Sequence, residues 1–248
     1  MMPALLEWDT RFFGFKVAKL QVEQHNDQKL DHAINAAKNM GVSLLSYLCP
    51  VDSHPSVPEN MELVERRNLY GFDIGQMQIS DIPTEPYPLE IYTDTKPTAQ
   101  FDRLAVTWGK SSRFFKDPIF PRLAAEAMYV YWMRAMLKRD GEEHILIARD
   151  SEGEISGITS GRVNENRIGT PLMMVVEKSL FGLNVGPSFV IAHMRWLKQQ
   201  RIKHAEIITH NSNRLACRIY EKLGWELQSQ QDIYHIWLKP PTLKDNYL

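Results

Sequence analysis

NSNRLACRIYEKLGW, at residues 211–225, is the most informative stretch of this sequence. Asn213 is a favourable N-cap residue and Gly224 is typical of the position just beyond a helix, so a helix is predicted between them. Ala216 and Tyr220 lie four residues apart and therefore share one face of that helix. The pattern fits a helix that lets a ligand approach a small residue next to a phenol. It also fits an amphipathic helix with a half-buried core tyrosine.

A segment ahead of this helix has the composition of an anion-binding loop. The apolar residues Val175 and Val176 precede FGLNVGP at residues 181–187. Proline is favoured in a first helical turn, so Gly186 and Pro187 predict the start of a helix. A strand, a loop and a helix in this order present free N–H groups and the positive end of the helix dipole to an anion.

The two segments together resemble the coenzyme A motifs of the GNAT superfamily of N-acyltransferases. The spacing Asn-x-x-Ala-x-x-x-Tyr-x-x-x-Gly-aromatic at residues 213–225 is similar to the C-terminal motif of that family. Residues 181–187 are similar to its pyrophosphate loop, usually Gln/Arg-x-x-Gly-x-Gly/Ala. Phe181 stands where a polar residue is usual, and Asn184 stands where the first glycine is usual. Asparagine tolerates a positive φ better than most residues, so the loop is expected to survive that change.

The resemblance implies an α/β (α+β) protein with a GNAT fold, in which helices flank a central mixed, splayed β-sheet. It implies acetyl-CoA as cosubstrate and Tyr220 as the general acid that protonates the departing thiolate. A backbone N–H in the strand at residues 172–176 is expected to meet the thioester oxygen. The residues expected to bind acetyl-CoA are Met174, Val175, Val176, Leu183, Asn184, Val185, Gly186, Pro187, Asn211, Asn213 and Ala216.

Two further segments narrow the resemblance to one branch of the superfamily. WDTRFFG at residues 8–14 and SRFFKDPIFP at residues 112–121 resemble the branch that includes the TDP-4-amino-4,6-dideoxygalactose (TDP-fucosamine) acetyltransferases. That branch implies a nucleotide-linked amino sugar as acceptor, whose amine attacks directly, in cell-surface polysaccharide synthesis. The residues expected at the acceptor are Trp8, Phe12, Phe13, Ser112, Arg113 and Phe114.

Physical chemistry offers two readings of these acceptor residues. Aromatic rings stack on bases and sugars, and Arg113 is able to pair with a diphosphate through two hydrogen bonds. The aromatic residues fit equally well as a cover over an edge of the core, and Arg113 as a surface arginine.

Glu65 is the candidate general base. Leu-Val-Glu at residues 63–65 resembles a Leu-Val-Asp/Glu segment of the same branch, in which the acid faces the acceptor. Glu65 is therefore expected to take the ammonium proton directly or through water. A solvated glutamate beside Arg66 and Arg67 is the alternative.

A proline-rich stretch divides the chain into two predicted parts. Proline fixes φ and removes a hydrogen-bond donor, so residues 81–97 are predicted to be extended or irregular. We predict an N-terminal mixed α/β domain on the acceptor side at residues 1–84 and a GNAT acetyltransferase domain at residues 85–248. The prolines of this stretch are Pro83, Pro86, Pro88 and Pro97.

Composition argues against several other classes of function. The 248 residues carry a formal net charge of -1, which gives no electrostatic basis for binding nucleic acid or an acidic membrane. Cys49 and Cys217 fit neither a disulfide framework nor a metal-ligand pattern, and no metal is expected. His193 is expected to be a packed or solvated residue. Without a signal-like segment or a long apolar window, a cytoplasmic protein is expected.

Two functional alternatives stay open. A GNAT enzyme acting on another small amine or on a protein amine would share the coenzyme A motifs without needing residues 8–14 and 112–121. A non-catalytic acyl-CoA-binding module fits the departures at Phe181 and Asn184, although it has no need of Tyr220. The resemblance is also compatible with a homodimer.

Overall fold

The computed structural model describes residues 2–56, 58–138 and 144–241. The strands in these ranges are β1 Ala4–Leu5, β2 Val17–Gln21, β3 Leu44–Pro50, β4 Met61–Asp73, β5 Glu90–Ile91, β6 His144–Arg149, β7 Ile155–Val163, β8 Ile168–Val176, β9 His204–His210 and β10 Glu226–Trp237. The α-helices are α1 Glu7–Phe13, α2 Asp27–Asn39, α3 Ala99–Gly109, α4 Arg113–Lys116, α5 Arg122–Leu137, α6 Val185–Gln199 and α7 Arg214–Lys222.

All of these strands join in one sheet, in the order β1-β2-β3-β10-β4-β9-β8-β7-β6-β5. The pairs β2–β3 and β8–β9 are parallel, and the other neighbours are antiparallel. A mixed sheet flanked by helices confirms the predicted fold class.

The sheet continues across the predicted domain boundary near residue 84. The last strand, β10, pairs with β3 on one side and with β4 on the other. Residues 1–84 therefore do not form a sheet of their own. The division into two domains therefore stays a prediction, since the strand order shows no boundary near residue 84.

The parallel strands β8 and β9 pair at one end only. Ile168 pairs with His204 and Gly169 with Ala205, and the ladder between these two fully described strands stops there. On its other side β8 carries a bulge, because Ser160 pairs with Met173 while the next residue of β7 pairs with Pro171. A bulge bends its strand. The carboxyl-terminal half of β8 thus leaves β9, and the predicted splay is confirmed.

Successive strand residues face opposite sides of the sheet and meet different helices. Ile145 and Ile147 of β6 pack in the large core formed with α3 and α5. The intervening Leu146 packs instead with Phe189 of α6. We call the side with α1, α3, α4 and α5 the first face and the side with α6 and α7 the second face. A ligand in the splay between β8 and β9 is therefore within reach of both helical layers.

Most predicted elements agree with the structure, and several were missed. The helix predicted to start at Gly186 and Pro187 corresponds to α6, and the helix predicted between Asn213 and Gly224 corresponds to α7. The proline-rich stretch holds only the two-residue strand β5 and short turns. Helices α1, α3 and α4 and the full length of β4 were not predicted. Within the described ranges, no helix combines the length and apolar character needed to span a bilayer.

Candidate active site

The loop before α6 adopts the left-handed conformations that its composition allows. Gly182 has φ 82° and Asn184, the N-cap residue of α6, has φ 60°. Glycine and asparagine are the residues that enter this region at least cost. Asn184 therefore takes the backbone conformation that a glycine of the GNAT loop would provide.

The first turn of α6 is open to an anion. Among the described residues, the backbone N–H groups of Val185 and Gly186 donate to no backbone acceptor outside their helix. A Cβ at Gly186 would lie 3.1 Å from Cδ1 of Ile219, so α7 packs tightly against this turn. The residues expected to hold the pyrophosphate of acetyl-CoA thus fit that group, with free donors at a helix N-terminus.

Helix α7 is capped as predicted. The side chain of Asn213 accepts a hydrogen bond of 3.2 Å from the backbone N–H of Ala216. Asn211 lies just beyond β9, and its backbone N–H donates to the carbonyl oxygen of Arg66 at 2.8 Å. These bonds fix α7 against the end of the splayed strand β9.

Tyr220 lies in the apolar layer of the second face. It packs in one cluster with Ile207 of β9 and Met174 of β8, which belong to the two diverging strands. Its ring is 4% exposed, and no described residue hydrogen-bonds to its hydroxyl group. Burial, followed by the nearby Cys217, raises the pKa of Tyr220. The phenol is therefore protonated at neutral pH, as a proton donor must be.

Glu65 lies on β4 and faces the opposite layer. It is 5% exposed, and its Oε1 lies 2.8 Å from Nδ1 of His210, the last residue of β9. Burial alone would raise the pKa of Glu65, but contacts with His210 and the charges of Arg113 and Lys116 lower it overall. Glu65 is therefore a buried, ionised carboxylate, and the alternative of a solvated glutamate is wrong.

Positive charge collects around this carboxylate. Burial, then Arg67 and Arg113, lower the pKa of Lys19. Burial, then Arg113, lower the pKa of Arg67, whose side chain donates to Gln231. These three cations of β2, β4 and α4 repel one another, and such repulsion is relieved when an anion binds between them.

Buried polar atoms without partners concentrate in the same region. Glu65 Oε2, Ser112 Oγ and Arg113 Nε have no hydrogen-bond partner within the described ranges. The same holds for His235 Nε2, whose ring lies close enough to Arg113 and Glu65 for their charges to affect its pKa. Buried polar groups are usually paired, so this concentration marks a place where ligand atoms complete the hydrogen bonds.

A second network anchors the chain segment that carries Arg113. Asp117 Oδ2 lies 2.6 Å from Nδ1 of His235 and accepts a hydrogen bond of 2.9 Å from the indole N–H of Trp237. Its Oδ1 accepts from the backbone N–H groups of Ile119 and Phe120, at 2.9 Å and 3.2 Å. Helix α4 is thereby fixed to β10.

The predicted acceptor aromatics divide into two groups. Trp8 and Phe12 are half-buried and stacked, with their ring centroids 4.9 Å apart. The ring centroid of Trp8 also lies 5.3 Å from that of the exposed Tyr131 of α5. These three rings form a partly open shelf on the first face, which we call the aromatic shelf.

Phe13 and Phe114 belong to the core, which corrects their prediction as substrate-binding residues. They are 1% and 4% exposed, and the ring centroid of each lies 5.0 Å from that of Phe120. Phenylalanine rings buried in this way have no free face for a base or a sugar. Ser112 is also buried, but its unpaired hydroxyl group keeps it in the candidate site.

His193 belongs to α6 and is buried. Of the two expectations for it, a packed residue or a solvated one, the first holds. Thr159 Oγ1 donates to the carbonyl oxygen of Met173, so it accepts from His193 Nε2 at 3.0 Å. Burial, and then His144, lower the pKa of His193 to about 3.

Sequence reasoning missed His210, Arg67, Lys19 and Lys116 as members of the charged group. His210 directly precedes the 211–225 stretch, so its position at the end of a strand could be predicted from the sequence. Its contact with Glu65 depends on the pairing of β4 with β9, which joins residues more than a hundred positions apart.

Residues 110–225 match the model of the Acetyltransferase (GNAT) family. A curated relative, the spore coat polysaccharide biosynthesis protein SpsD of Bacillus subtilis (strain 168), is 26% identical over 144 residues. The match covers 58% of this chain and 48% of SpsD, so the chain spans about half the length of that relative.

Solved structures share the fold over most of the chain. A functionally unknown conserved protein of Staphylococcus epidermidis ATCC 12228 superposes with a TM-score of 0.60 and 11% identity, over 90% of this chain and 84% of that one. A tandem GNAT protein from the clavulanic acid biosynthesis pathway gives a TM-score of 0.56 and 17% identity, over 86% and 70%. At these identities the likeness establishes the fold alone. With the family match, it shows that this chain contains a GNAT acetyltransferase domain.

Proposed function

From its GNAT domain, we propose that this chain transfers the acetyl group of acetyl-CoA to the amine of a nucleotide-linked amino sugar of the TDP-4-amino-4,6-dideoxyhexose type. The observation that carries the proposal is the group of cations and unpaired buried polar atoms around Glu65 and Arg113. This group lies on the first face, next to the splay that would admit the thioester. A nucleotide sugar brings a diphosphate, hydroxyl groups and an amine to such a site.

The cofactor side of the proposal rests on α6 and the splay. The free N–H groups of Val185 and Gly186 would hold the pyrophosphate of acetyl-CoA. Residues 174–176 of β8 do not pair with β9, so that edge of the strand is open in the splay. A backbone N–H on this edge would be free to stabilise negative charge on the thioester carbonyl oxygen of acetyl-CoA. When bound, acetyl-CoA supplies an activated thioester.

The acceptor side rests on charge and on aromatic surface. Arg113, Arg67 and Lys19 would neutralise the diphosphate, which explains why mutually repelling cations are placed together. The aromatic shelf of Trp8, Phe12 and Tyr131 would stack on the base or the sugar. Neither feature is required by an acetyltransferase whose acceptor is a small neutral amine.

Tyr220 is the proposed proton donor. Its protonated phenol packs beside Met174 and Ile207, where the strands diverge, so it would protonate the leaving thiolate. A module that only bound acyl-CoA would have no use for this hydroxyl group.

The likeness to SpsD suggests the biological setting. SpsD is named for spore coat polysaccharide biosynthesis. We place the activity of this chain, by analogy, in the synthesis of a cell-surface polysaccharide that contains an N-acetylated amino sugar.

The test is release of coenzyme A thiol from acetyl-CoA with a panel of acceptors. The panel contains TDP-4-amino-4,6-dideoxygalactose, TDP-4-amino-4,6-dideoxyglucose, small free amines and a lysine peptide. Turnover at least tenfold more efficient with a TDP-sugar supports the proposal. Turnover with only a free amine or the peptide would transfer the assignment to another GNAT reaction. Acetyl-CoA binding without turnover on any acceptor would favour the non-catalytic module.

Arg113→Ala adds a test of the diphosphate contact. Loss of a charge-assisted hydrogen bond costs about 1.5–3 kcal/mol, so KM for the TDP-sugar should rise by roughly 10- to 100-fold. KM for acetyl-CoA should not change. Arg103→Ala is the matched control, because Arg103 is an exposed arginine of α3. An equal effect of the two substitutions would contradict the contact.

A further inference from the structure

We propose that His210 takes the proton from the acceptor amine and that Glu65 is a positioning residue that holds the imidazole. The inference deepens the proposed acetyl transfer and rests on it. It replaces the simpler expectation that Glu65 itself is the base.

The geometry of the pair favours His210 as the base. Nδ1 of His210 and Oε1 of Glu65 are 2.8 Å apart, and the side chains are 24% and 3% exposed. The distance is within hydrogen-bonding range, although Nδ1 makes no aligned hydrogen bond in this ring orientation. Because Nδ1 is buried, the exposed part of the ring lies elsewhere, where a substrate amine can reach it. The carboxylate is far less exposed than the ring.

The backbone fixes both members of the pair. Arg67 of β4 pairs with His210 of β9, so Glu65 sits two residues along the neighbouring strand. The bond from the Asn211 N–H to the Arg66 carbonyl oxygen continues the pairing past the end of β9. A carboxylate held against one imidazole nitrogen sets the tautomer and leaves the other nitrogen free to accept a proton.

The charges around the pair also favour His210 as the base. A carboxylate as buried as Glu65 and as close to cations is a weak base, whereas a neutral imidazole is able to accept a proton near neutral pH. Glu65 also stabilises the imidazolium that results. The ionisable groups that face the pair are Arg67 of β4, Arg113 and Lys116 of α4, Tyr129 of α5 and His235 of β10.

The proton balance follows from these roles. The acceptor ammonium gives one proton to His210, and the nitrogen lone pair then forms the bond to the acetyl carbon. The carbon–sulfur bond breaks, its electron pair goes to sulfur, and sulfur takes the proton of Tyr220. The second nitrogen proton restores the Tyr220 phenol through solvent, and His210 releases its proton to water. The sum is one amide, one thiol and one proton.

The experiment measures thiol release with acetyl-CoA and TDP-4-amino-4,6-dideoxygalactose across the pH range. We expect His210→Ala to lower kcat by roughly 100-fold or more, because general base catalysis contributes about 10²–10⁴-fold. The fall in kcat at low pH that the wild type shows should be absent from the pH profile of His210→Ala. Added imidazole should restore part of the rate to His210→Ala and none to Glu65→Gln, which keeps the ring but loses its anionic support. His204→Gln is the control, since His204 is an exposed histidine of the same strand.

Each outcome decides the matter. Rescue of His210→Ala by imidazole supports the inference, because a purely structural role would not respond to a free base. Wild-type turnover with an unchanged rate and pH profile in His210→Ala overturns the inference and leaves the proposed function intact. Loss of rate without rescue and with the fall in kcat at low pH retained also overturns it. No release by the wild type overturns the acceptor assignment and this inference together.

Discussion

Asp117→Asn should separate the anchoring network from the chemistry of the site. The carboxylate accepts four hydrogen bonds in a side chain that is 1% exposed, from two backbone N–H groups, His235 and the indole of Trp237. The amide oxygen of asparagine can keep the two backbone donors. Its NH2 group would then face two further donors. Imidazole can change tautomer and accept, but indole cannot, so one buried N–H loses its partner.

The magnitude follows from that count. An unsatisfied buried donor costs about 1–3 kcal/mol, and the lost charge-assisted bond to His235 adds to this, so we expect a loss of about 2–4 kcal/mol. The assay is urea unfolding followed by tryptophan fluorescence. Because α4 carries Arg113, KM for the TDP-sugar should also rise, while KM for acetyl-CoA stays near the wild-type value.

A double-mutant cycle with Trp237→Phe provides the control. Trp237→Phe already removes the indole N–H that Asp117→Asn would otherwise leave without an acceptor. The double variant should therefore lose less stability than the sum of the single variants, by about 1 kcal/mol or more. Strict additivity, or a loss below about 0.5 kcal/mol for Asp117→Asn alone, would refute the reasoning.

Two other predictions concern stability. Burial lowers the pKa of His193 to about 3, below its ordinary value of 6.5, so the stabilisation by the neutral ring is complete above pH 6.5 and is lost as pH falls towards 3. Burial also lowers the pKa of His144 to about 4, so the wild type loses stability from both rings as pH falls. Between pH 7.5 and 5, urea unfolding of His193→Gln should therefore show a loss smaller than that of the wild type by about 2 kcal/mol; equal pH dependence of the two proteins would count against it. In Gly169→Ala the new Cβ would lie 2.3 Å from Cδ2 of Leu197 in α6, so we expect a loss of about 1–3 kcal/mol. Leu197→Ala should relieve part of that loss, and a thermal unfolding series in which it does not would exclude overpacking as the cause.

The sequence predicted the parts of the site that depend on local structure. Asn213 caps α7, Asn184 adopts a positive φ, and Pro187 lies in the first turn of α6, because each property belongs to a few adjacent residues. The order of a strand, a loop and a helix then placed the cofactor motifs at the splay.

The acceptor side depends on pairings that no local pattern contains. The contact between Glu65 and His210 requires β4 beside β9, and the burial of Asp117 requires β10 between β3 and β4. Phe13 and Phe114 were assigned to the substrate because aromatic composition alone does not distinguish a stacking surface from a core. Alternation along β4 was also hard to read, since a register shift near Glu65 interrupts it.

The most direct test is the product itself. Wild-type protein is incubated with acetyl-CoA and TDP-4-amino-4,6-dideoxygalactose, and mass spectrometry of the sugar nucleotide is compared with thiol release, in parallel with Tyr220→Phe. We predict one acetyl group added to the sugar nucleotide per thiol released, at a rate that falls at least tenfold in Tyr220→Phe while acetyl-CoA still binds. Thiol release without an acetylated sugar nucleotide, or an unmodified sugar with no thiol release, would contradict the account.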